Sequence, residues 1–340
     1  MSHSETLRLG LLGAANIGRQ FTAALVGSQK VAVTAVASRE AGKAATYAAE
    51  NGIPRWHDRY EALLADQEID AIYLPLPNNL HAEWAIRALE AGKHVLCEKP
   101  LALKAAEASA MFETARRTGR VLVEAYPWLA QPQTARLRAL LAEGAIGAVR
   151  QIAVSFSAPF SDPGNIRLRP ESGGGALLDL GSYCVSLLRI VAGACATSVT
   201  ASADWAETGV DRGMVATFAF ADGLTATLNC SFAAAYQRQA VIHGTEGSLV
   251  TTFRNHAPGP DAEPMRLWQG GALTAQPVEM ASPGVNGFRA EAEAFADAIR
   301  LGPRHWTGAT EAESLDIARM LDAIAASARS GTAITLSAAG

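Results

Sequence analysis

In the first third of the chain, short apolar runs alternate with amphipathic stretches. Residues 7–13, 31–37, 71–76, 94–97 and 121–125 are apolar and partly β-branched, as strands buried on both faces are. Between them, residues 17–27, 40–51, 79–91 and 104–118 are rich in Ala, Leu, Glu and Arg. In the third of these, Ala82, Ala85, Ile86 and Leu89 recur at the spacing of one helix face. Continuous apolar strands separated by such helices predict an α/β domain with a doubly wound parallel sheet of the Rossmann type.

The pattern changes from about Val149. Leu224, Ala226, Leu228, Cys230 and Phe232 alternate strictly with Thr225, Thr227, Asn229 and Ser231, the period of a strand with one apolar and one polar face. Asp222-Gly223 separates this run from residues 215–220, a hairpin signal. Two amphipathic helices close the chain, one carrying Phe288, Ala292, Phe295 and Ile299, the other Ile317, Leu321 and Ile324. Residues 255–263, which contain Pro258-Gly259-Pro260, read as a surface loop. These features predict a C-terminal α+β domain with a large open, mostly antiparallel sheet. The expected division is residues 1–125 and 126–340, with the closing helices able to pack back on the first domain.

Composition narrows the function classes. The chain has 340 residues and a net charge of −4, which offers no basic face for nucleic acid or anionic lipid. The N-terminal residues are polar and lead straight into the first strand, so no signal peptide or membrane span is expected. Cys97, Cys184, Cys195 and Cys230 stand alone, without metal-ligand spacing. They read as small buried hydrophobes of a cytoplasmic protein, and no metal is expected.

Four strand ends carry chemistry. Residues 9–18 read LGLLGAANIG: a strand runs into Gly13 and a helix opens near Asn16 or Ile17, where a pyrophosphate rests on free backbone N–H groups. Ala15 replaces the middle glycine of the usual fingerprint, leaving Gly13 and Gly18. Any strand–turn–helix shows such glycines, but this one is the first of several βα units. The second strand ends in Ser38-Arg39, not in the acid of an NAD site. A carboxylate there repels a ribose 2′-phosphate and a guanidinium pairs with it, which favours NADP over NAD. After the strand 71–76 come Pro77, Asn78, Asn79 and His81; the asparagines are good helix caps, and a histidine at a helix start stays neutral, a cofactor-site helper. Glu98-Lys99-Pro100 follows the strand 94–97, where ligands of open α/β sheets bind. Lys99 there orients a hydroxyl or polarises a carbonyl, Glu98 holds the lysine or a ribose, and Lys99-Pro100 is a candidate cis bond. Further on, Gly173-Gly174-Gly175 precede Asp179 and Tyr183, four residues apart and so on one helix face. The pair is either a surface feature or, beside Lys99, a proton-handling set.

The succession GAANIG, PNNLH, CEKP and GGGALLDLGSY resembles the glucose–fructose oxidoreductase/inositol dehydrogenase/rhizopine-catabolism (Gfo/Idh/MocA) family, over roughly residues 7–336. The resemblance implies that Lys99 is the catalytic lysine, that Asn79, His81 and Glu98 line the cofactor, and that the open sheet forms a homodimer or homotetramer. Tyr183 stands where many relatives have histidine. That points to the branch of glucose–fructose oxidoreductase, D-xylose dehydrogenase, dihydrodiol dehydrogenase and sugar ketoreductases, where tyrosine is the acid/base. Arg167 matches a region that contacts cofactor or substrate in relatives. Tyr126-Pro127-Trp128 departs from the family pattern in a stretch expected to approach the nicotinamide.

Together these readings describe an NADP-dependent oxidoreductase moving hydride to or from a sugar or polyol carbon, with Lys99, Tyr183 and Asp179 as the catalytic set. Gly13, Ala15, Asn16, Ile17, Ser38, Arg39, Asn79, His81, Glu98, Lys99 and Arg167 are the expected cofactor contacts. A reductase of a non-sugar carbonyl, a trans-dihydrodiol dehydrogenase and a non-catalytic NADP-binding regulator are the alternatives.

Overall fold

The structure, a computed structural model, describes residues 6–40, 42–160, 162, 164–256, 263–270 and 274–336. The chain forms two compact units: Met1–Ala102, Ala106–Ala130 and Asn286–Glu311 make one, and Leu103–Ala105, Gln131–Val285 and Ala312–Gly340 the other.

The first unit holds six strands, β1 (Leu7–Leu12), β2 (Val31–Ala37), β3 (Arg55–His57), β4 (Ala71–Leu74), β5 (His94–Glu98) and β6 (Leu122–Ala125). Helices α1 (Asn16–Ala24), α2 (Lys43–Asn51), α3 (Tyr60–Ala65), α4 (His81–Glu90) and α5 (Ala105–Thr118) alternate with them. All neighbours pair in parallel, in the order β3-β2-β1-β4-β5-β6. The chain therefore reverses its direction of travel across the sheet between β1 and β4, the crevice where doubly wound folds bind nucleotides. Both faces of the strands are apolar: Leu9, Leu11, Tyr73 and Leu96 on one face and Leu12, Ile72, Leu74 and Val95 on the other are fully buried, and Phe21 of α1 stacks on Tyr73 with centroids 3.8 Å apart.

The five long strands match the expected runs within two residues. The sequence reading contained neither β3 nor α3. Three residues, Arg55-Trp56-His57, are too few to show a period, and a six-residue helix shows less than two turns. The stripe at Phe288, Ala292 and Phe295 lies on α8 (Gly287–Leu301), which joins the core of this first unit. Asn286 starts that helix, its side chain accepting from the N–H groups of Phe288 and Arg289.

The second unit holds α6 (Pro132–Ala142), β7 (Val149–Ser157), α7 (Ser182–Ala192), β8 (Ser198–Trp205), β9 (Asp211–Ala219), β10 (Thr225–Ser231), β11 (Gln237–Gly244), β12 (Gly247–Thr251), β13 (Met265–Gln269) and β14 (Val278–Met280). Helix α9 (Glu311–Ser330) and β15 (Ile334–Thr335) complete it. The nine strands form one sheet, β14-β13-β12-β11-β7-β10-β9-β8-β15, antiparallel except for β7 beside β10. Gly223, at φ +83°, makes the β9–β10 turn. Ala226, Leu228 and Cys230 are buried while Thr225, Thr227 and Asn229 are exposed, as the alternation predicts. Residues 170–192 are long and apolar enough to cross a membrane, but 78% of that window is buried inside the protein. It is the core helix of this unit. Of the expected loop at 255–263, residues 257–262 lie outside the described residues. Asn255, at its start, is half-buried, in a bend between β12 and β13.

Replacing Phe295, fully buried in the first core, with Ala is expected to cost about 3–5 kcal/mol. Denaturant unfolding of the variant reads this as a lower midpoint for the first unit.

Candidate active site

The first strand end is built by two glycines and tolerates the alanine between them. Gly13 sits at φ +120°, and a Cβ there would lie 2.8 Å from Leu76 Cδ2. A Cβ on Gly18 would lie 2.8 Å from the Tyr47 hydroxyl. Ala15 is in extended backbone, φ −96° and ψ 154°, which any residue adopts, so the missing middle glycine costs no strain. Its carbonyl accepts from Tyr47 Oη at 2.9 Å, and burial pushes the Tyr47 phenol up to about 12. No side chain caps α1, so its first N–H groups are presented to an anion. Asn16 is exposed beside them and Ile17 packs inward.

At the end of β2, Ser38 is buried; its N–H donates to His57 O and its Oγ accepts from the Glu40 N–H. Arg39 is exposed, its guanidinium 5.5 Å from the centre of the Tyr60 ring. The Tyr60 hydroxyl in turn lies 3.8 Å from where a Gly13 Cβ would be. Tyr60 thus supports both the glycine turn and the arginine. It comes from α3 and carried no signal in the sequence.

The next two strand ends are stitched together. His81 is fully buried, Nδ1 lying 2.8 Å from Pro100 O and Nε2 2.8 Å from Leu76 O. Burial holds its pKa below the ordinary value, against the pull of the two carbonyls. Both ring nitrogens therefore face backbone carbonyls beyond β4 and β5, and the single N–H of the neutral ring donates to one of them at a time. Neither asparagine caps α4, whose N-cap is Leu80; Asn79 is exposed. Glu98 accepts from Tyr73 Oη at 2.5 Å, Lys99 is half-buried, and Lys99-Pro100 is cis. Glu291 of α8 is 1% exposed. Burial first, then the charge of Glu98, hold its carboxyl well above the usual carboxylate range. Tyr126 and Trp128 are fully buried, Trp128 within a 3₁₀ turn against α8.

In the second unit the glycine run lets chain approach chain. A Cβ on Gly174 would sit 2.8 Å from the Arg169 carbonyl oxygen, and one on Gly175, at φ +119°, would overlap the Asp211 carboxylate. Asp211 accepts from the Leu177 N–H at 2.6 Å and so caps the turn that follows. That turn, Leu177–Gly181, is a π-helix, with α7 beginning at Ser182; the expected continuous α-helical face is interrupted between Asp179 and Tyr183. π-turns of this kind recur at functional sites. Asp179 pairs with Arg167 Nε at 2.5 Å, and the Arg167 guanidinium lies 4.8 Å over the Phe160 ring. Tyr183 is 7% exposed and its hydroxyl accepts from Asn255 Nδ2 at 2.9 Å. The Arg238 guanidinium lies 4.4 Å from the centre of the Tyr183 ring. Neither partner was found in the sequence. Asn255 looked like loop, whereas Arg238 breaks the inward register of β11 ahead of Ala240 and Ile242, a signal that was available. Among the described residues no His, Cys, Asp and Glu cluster is placed to hold a metal.

Residues 7–126 match an oxidoreductase family described by its NAD-binding Rossmann fold, and residues 134–250 match the GFO/IDH/MocA C-terminal domain. The chain belongs to the GFO/IDH/MocA oxidoreductase family. Within the family it is 35% identical to D-xylose 1-dehydrogenase (NADP(+)) 2 of Haloferax volcanii, over 97% of this chain and 100% of that one. It is 32% identical to trans-1,2-dihydrobenzene-1,2-diol dehydrogenase of Danio rerio, over 93% and 95%. The crystal structure of a 3-ketoreductase from Actinomadura kijaniata in complex with NADP and TDP-benzene superposes with a TM-score of 0.85 at 33% identity, covering 95% of this chain and 98% of the other.

Burial raises the Asp211 pKa from 3.8 to about 6, against the backbone N–H groups of Leu177 and Ala176 and the charge of Arg329. The folded state therefore holds this proton more tightly than the unfolded one. Its contribution is full below pH 3.8 and is lost as pH rises through 6. Asp211→Asn should lack this loss, which is of order 2–3 kcal/mol, about two pKa units. Chemical unfolding at pH 4 and pH 7 checks it: the variant gains on the wild type at the higher pH.

Proposed function

We propose that the protein is an NADP-dependent dehydrogenase or reductase acting on a sugar or polyol carbon, with Tyr183 as its proton-transfer group. The observation that carries the reading is the Tyr183 phenol, nearly buried yet held at its oxygen by a donor, just after a glycine-built π-turn. A phenol hydrogen-bonded in this way is prepared to pass its own proton to a substrate oxygen or to take one from it. Relatives support it, since the solved structures of the Actinomadura kijaniata 3-ketoreductase include a tyrosine variant and lysine variants.

The first unit fits NADP. The pyrophosphate would lie on the uncapped N–H groups of Asn16 and Ile17, after a turn that Gly13 makes at φ +120°. The 2′-phosphate would lie between Ser38 and Arg39, with the guanidinium backed by Tyr60. Bound there, the nicotinamide accepts or donates the hydride. In oxidation Tyr183 takes the hydroxyl proton as the carbonyl forms; in reduction it returns the proton to the alkoxide oxygen. Lys99, the cation just beyond β5, stabilises the oxyanion. Asp179, fixed by Arg167, orients a sugar hydroxyl. His81 and Glu98 hold the strand ends that carry Lys99.

The protein works in the cytoplasm, where four unpaired cysteines suit the reducing conditions. The exposed Thr225, Thr227 and Asn229 face of the large sheet serves as a homodimer or homotetramer interface.

The test is a panel of aldoses, polyols, nucleotide ketosugars and a trans-dihydrodiol, run with NADP⁺ or NADPH and with the NAD forms. Turnover of a sugar with NADP supports the reading; turnover of the dihydrodiol alone moves the protein to that activity, and none with any substrate refutes it. Tyr183→Phe should lower kcat about 10²–10⁴-fold and leave the NADP Kd unchanged. Arg39→Ala should weaken NADP about 10–100-fold, the loss of one charged hydrogen bond, with NAD binding unaffected; calorimetric titration reads both.

A further inference from the structure

Arg238 is a buried cation with aromatic surroundings. It stands on β11, 7% exposed, with its guanidinium carbon 4.4 Å from the centre of the Tyr183 ring and 4.6 Å from those of Phe156 and Phe253. Among the described residues no carboxylate pairs with it, and its Nε is buried without an acceptor. The titratable groups around it are Tyr183 and Cys184 of α7, Tyr236 just before β11, and Arg254 and His256 after β12. Burial lowers its pKa to about 10, and Cys184 stays a thiol, pushed up to about 12. An ionised phenol is then the anion best placed to answer the charge.

Asn255 connects the two groups directly. Arg238 Nη2 donates to Asn255 Oδ1 at 3.2 Å. This fixes the amide orientation, so that its NH₂ end points at Tyr183 Oη, 2.9 Å away. The Asn255 carbonyl accepts from Gln131 Nε2 at 2.6 Å, and Phe253, a non-glycine residue at φ +36°, shapes the turn that leads to it. A hydrogen bond donated to the phenol oxygen does not use the phenol's own proton, and it strengthens when that proton leaves. A cation over the ring face likewise binds the more electron-rich tyrosinate better than the phenol.

We propose that Arg238 and Asn255 are positioning residues that orient the Tyr183 hydroxyl and stabilise its ionised form, Arg238 through the ring face and through Asn255. The proposal rests on the reading of Tyr183 as the proton-transfer group. Both residues act through Tyr183, so they set the pH at which it works.

The experiment is an ultraviolet difference titration of the phenol in full-length protein, each variant read against the same variant carrying Tyr183→Phe. Arg238→Met is expected to raise the pH of Tyr183 ionisation by about one unit, a tenfold change in equilibrium. The rising limb of kcat for oxidation should move with it, while the sugar KM and NADP Kd hold. Arg238→Lys should restore most of the shift. Asn255→Ala should give a smaller shift in the same direction, and it carries the test alone should Arg238→Met fail to fold. An unchanged titration in folded Arg238→Met or Asn255→Ala overturns the proposal, as does loss of turnover without movement of the pH limb. Full activity of Tyr183→Phe would instead overturn the acid–base reading, and the titration shift would still report the coupling.

Discussion

Parallel pairing of β1 to β6 places every strand's carboxyl end on one edge of the first sheet. Each chain segment leaving that edge is obliged to turn, and four of these turns carry the proposed cofactor and catalytic groups. Gly13 follows β1, Ser38 and Arg39 follow β2, and Lys99 follows β5. The turns are held by polar contacts that elsewhere in a protein would be spare. His81 sits between the carbonyls of Leu76 and Pro100, beyond β4 and β5, and donates its ring N–H to one of them, and Tyr73 anchors Glu98 beside the lysine. A buried histidine and a buried glutamate are costly unless they are hydrogen-bonded. Here the bonds made are the ones that fix the strand-end geometry.

The second unit uses its sheet differently. On its apolar face α7 packs against β7 and β10, α9 reaches β8 where Ser327 accepts from the Ala201 N–H, and the polar groups set into that face surround the π-turn and Tyr183. Asp211 caps the turn from β9, and Arg238 reaches the phenol from β11. Apolar residues of similar size would pack at either position with less desolvation. Sequences break local rules of this kind at functional sites more than elsewhere, and the two breaks converge here on the stretch from Leu177 to Tyr183.

Much of this was legible in the sequence because it is written in short-range patterns. The long strands of the first sheet are unbroken apolar runs, the β9–β10 hairpin is strict alternation around Asp222-Gly223, and the glycines at 13 and 173–175 sit where a Cβ has no room. What was not legible depends on contacts between residues far apart in the chain. β3 forms because β2 offers it an edge, not because Arg55-Trp56-His57 has a pattern. Asn255 looks like loop because its partner lies 72 residues away. The π-turn was hidden too, since the sequence does not distinguish four residues of α-helix from the wider turn that the Asp211 cap imposes.

The central claim is that hydride passes directly between a sugar carbon and NADP at a site where Tyr183 handles the proton. The most direct measurement uses an aldose deuterated at the reacting carbon, turned over with NADP⁺, followed by mass analysis of the reduced cofactor. One deuterium in the nicotinamide per sugar oxidised is the predicted result. Sugar oxidation with no label in the cofactor would contradict the account.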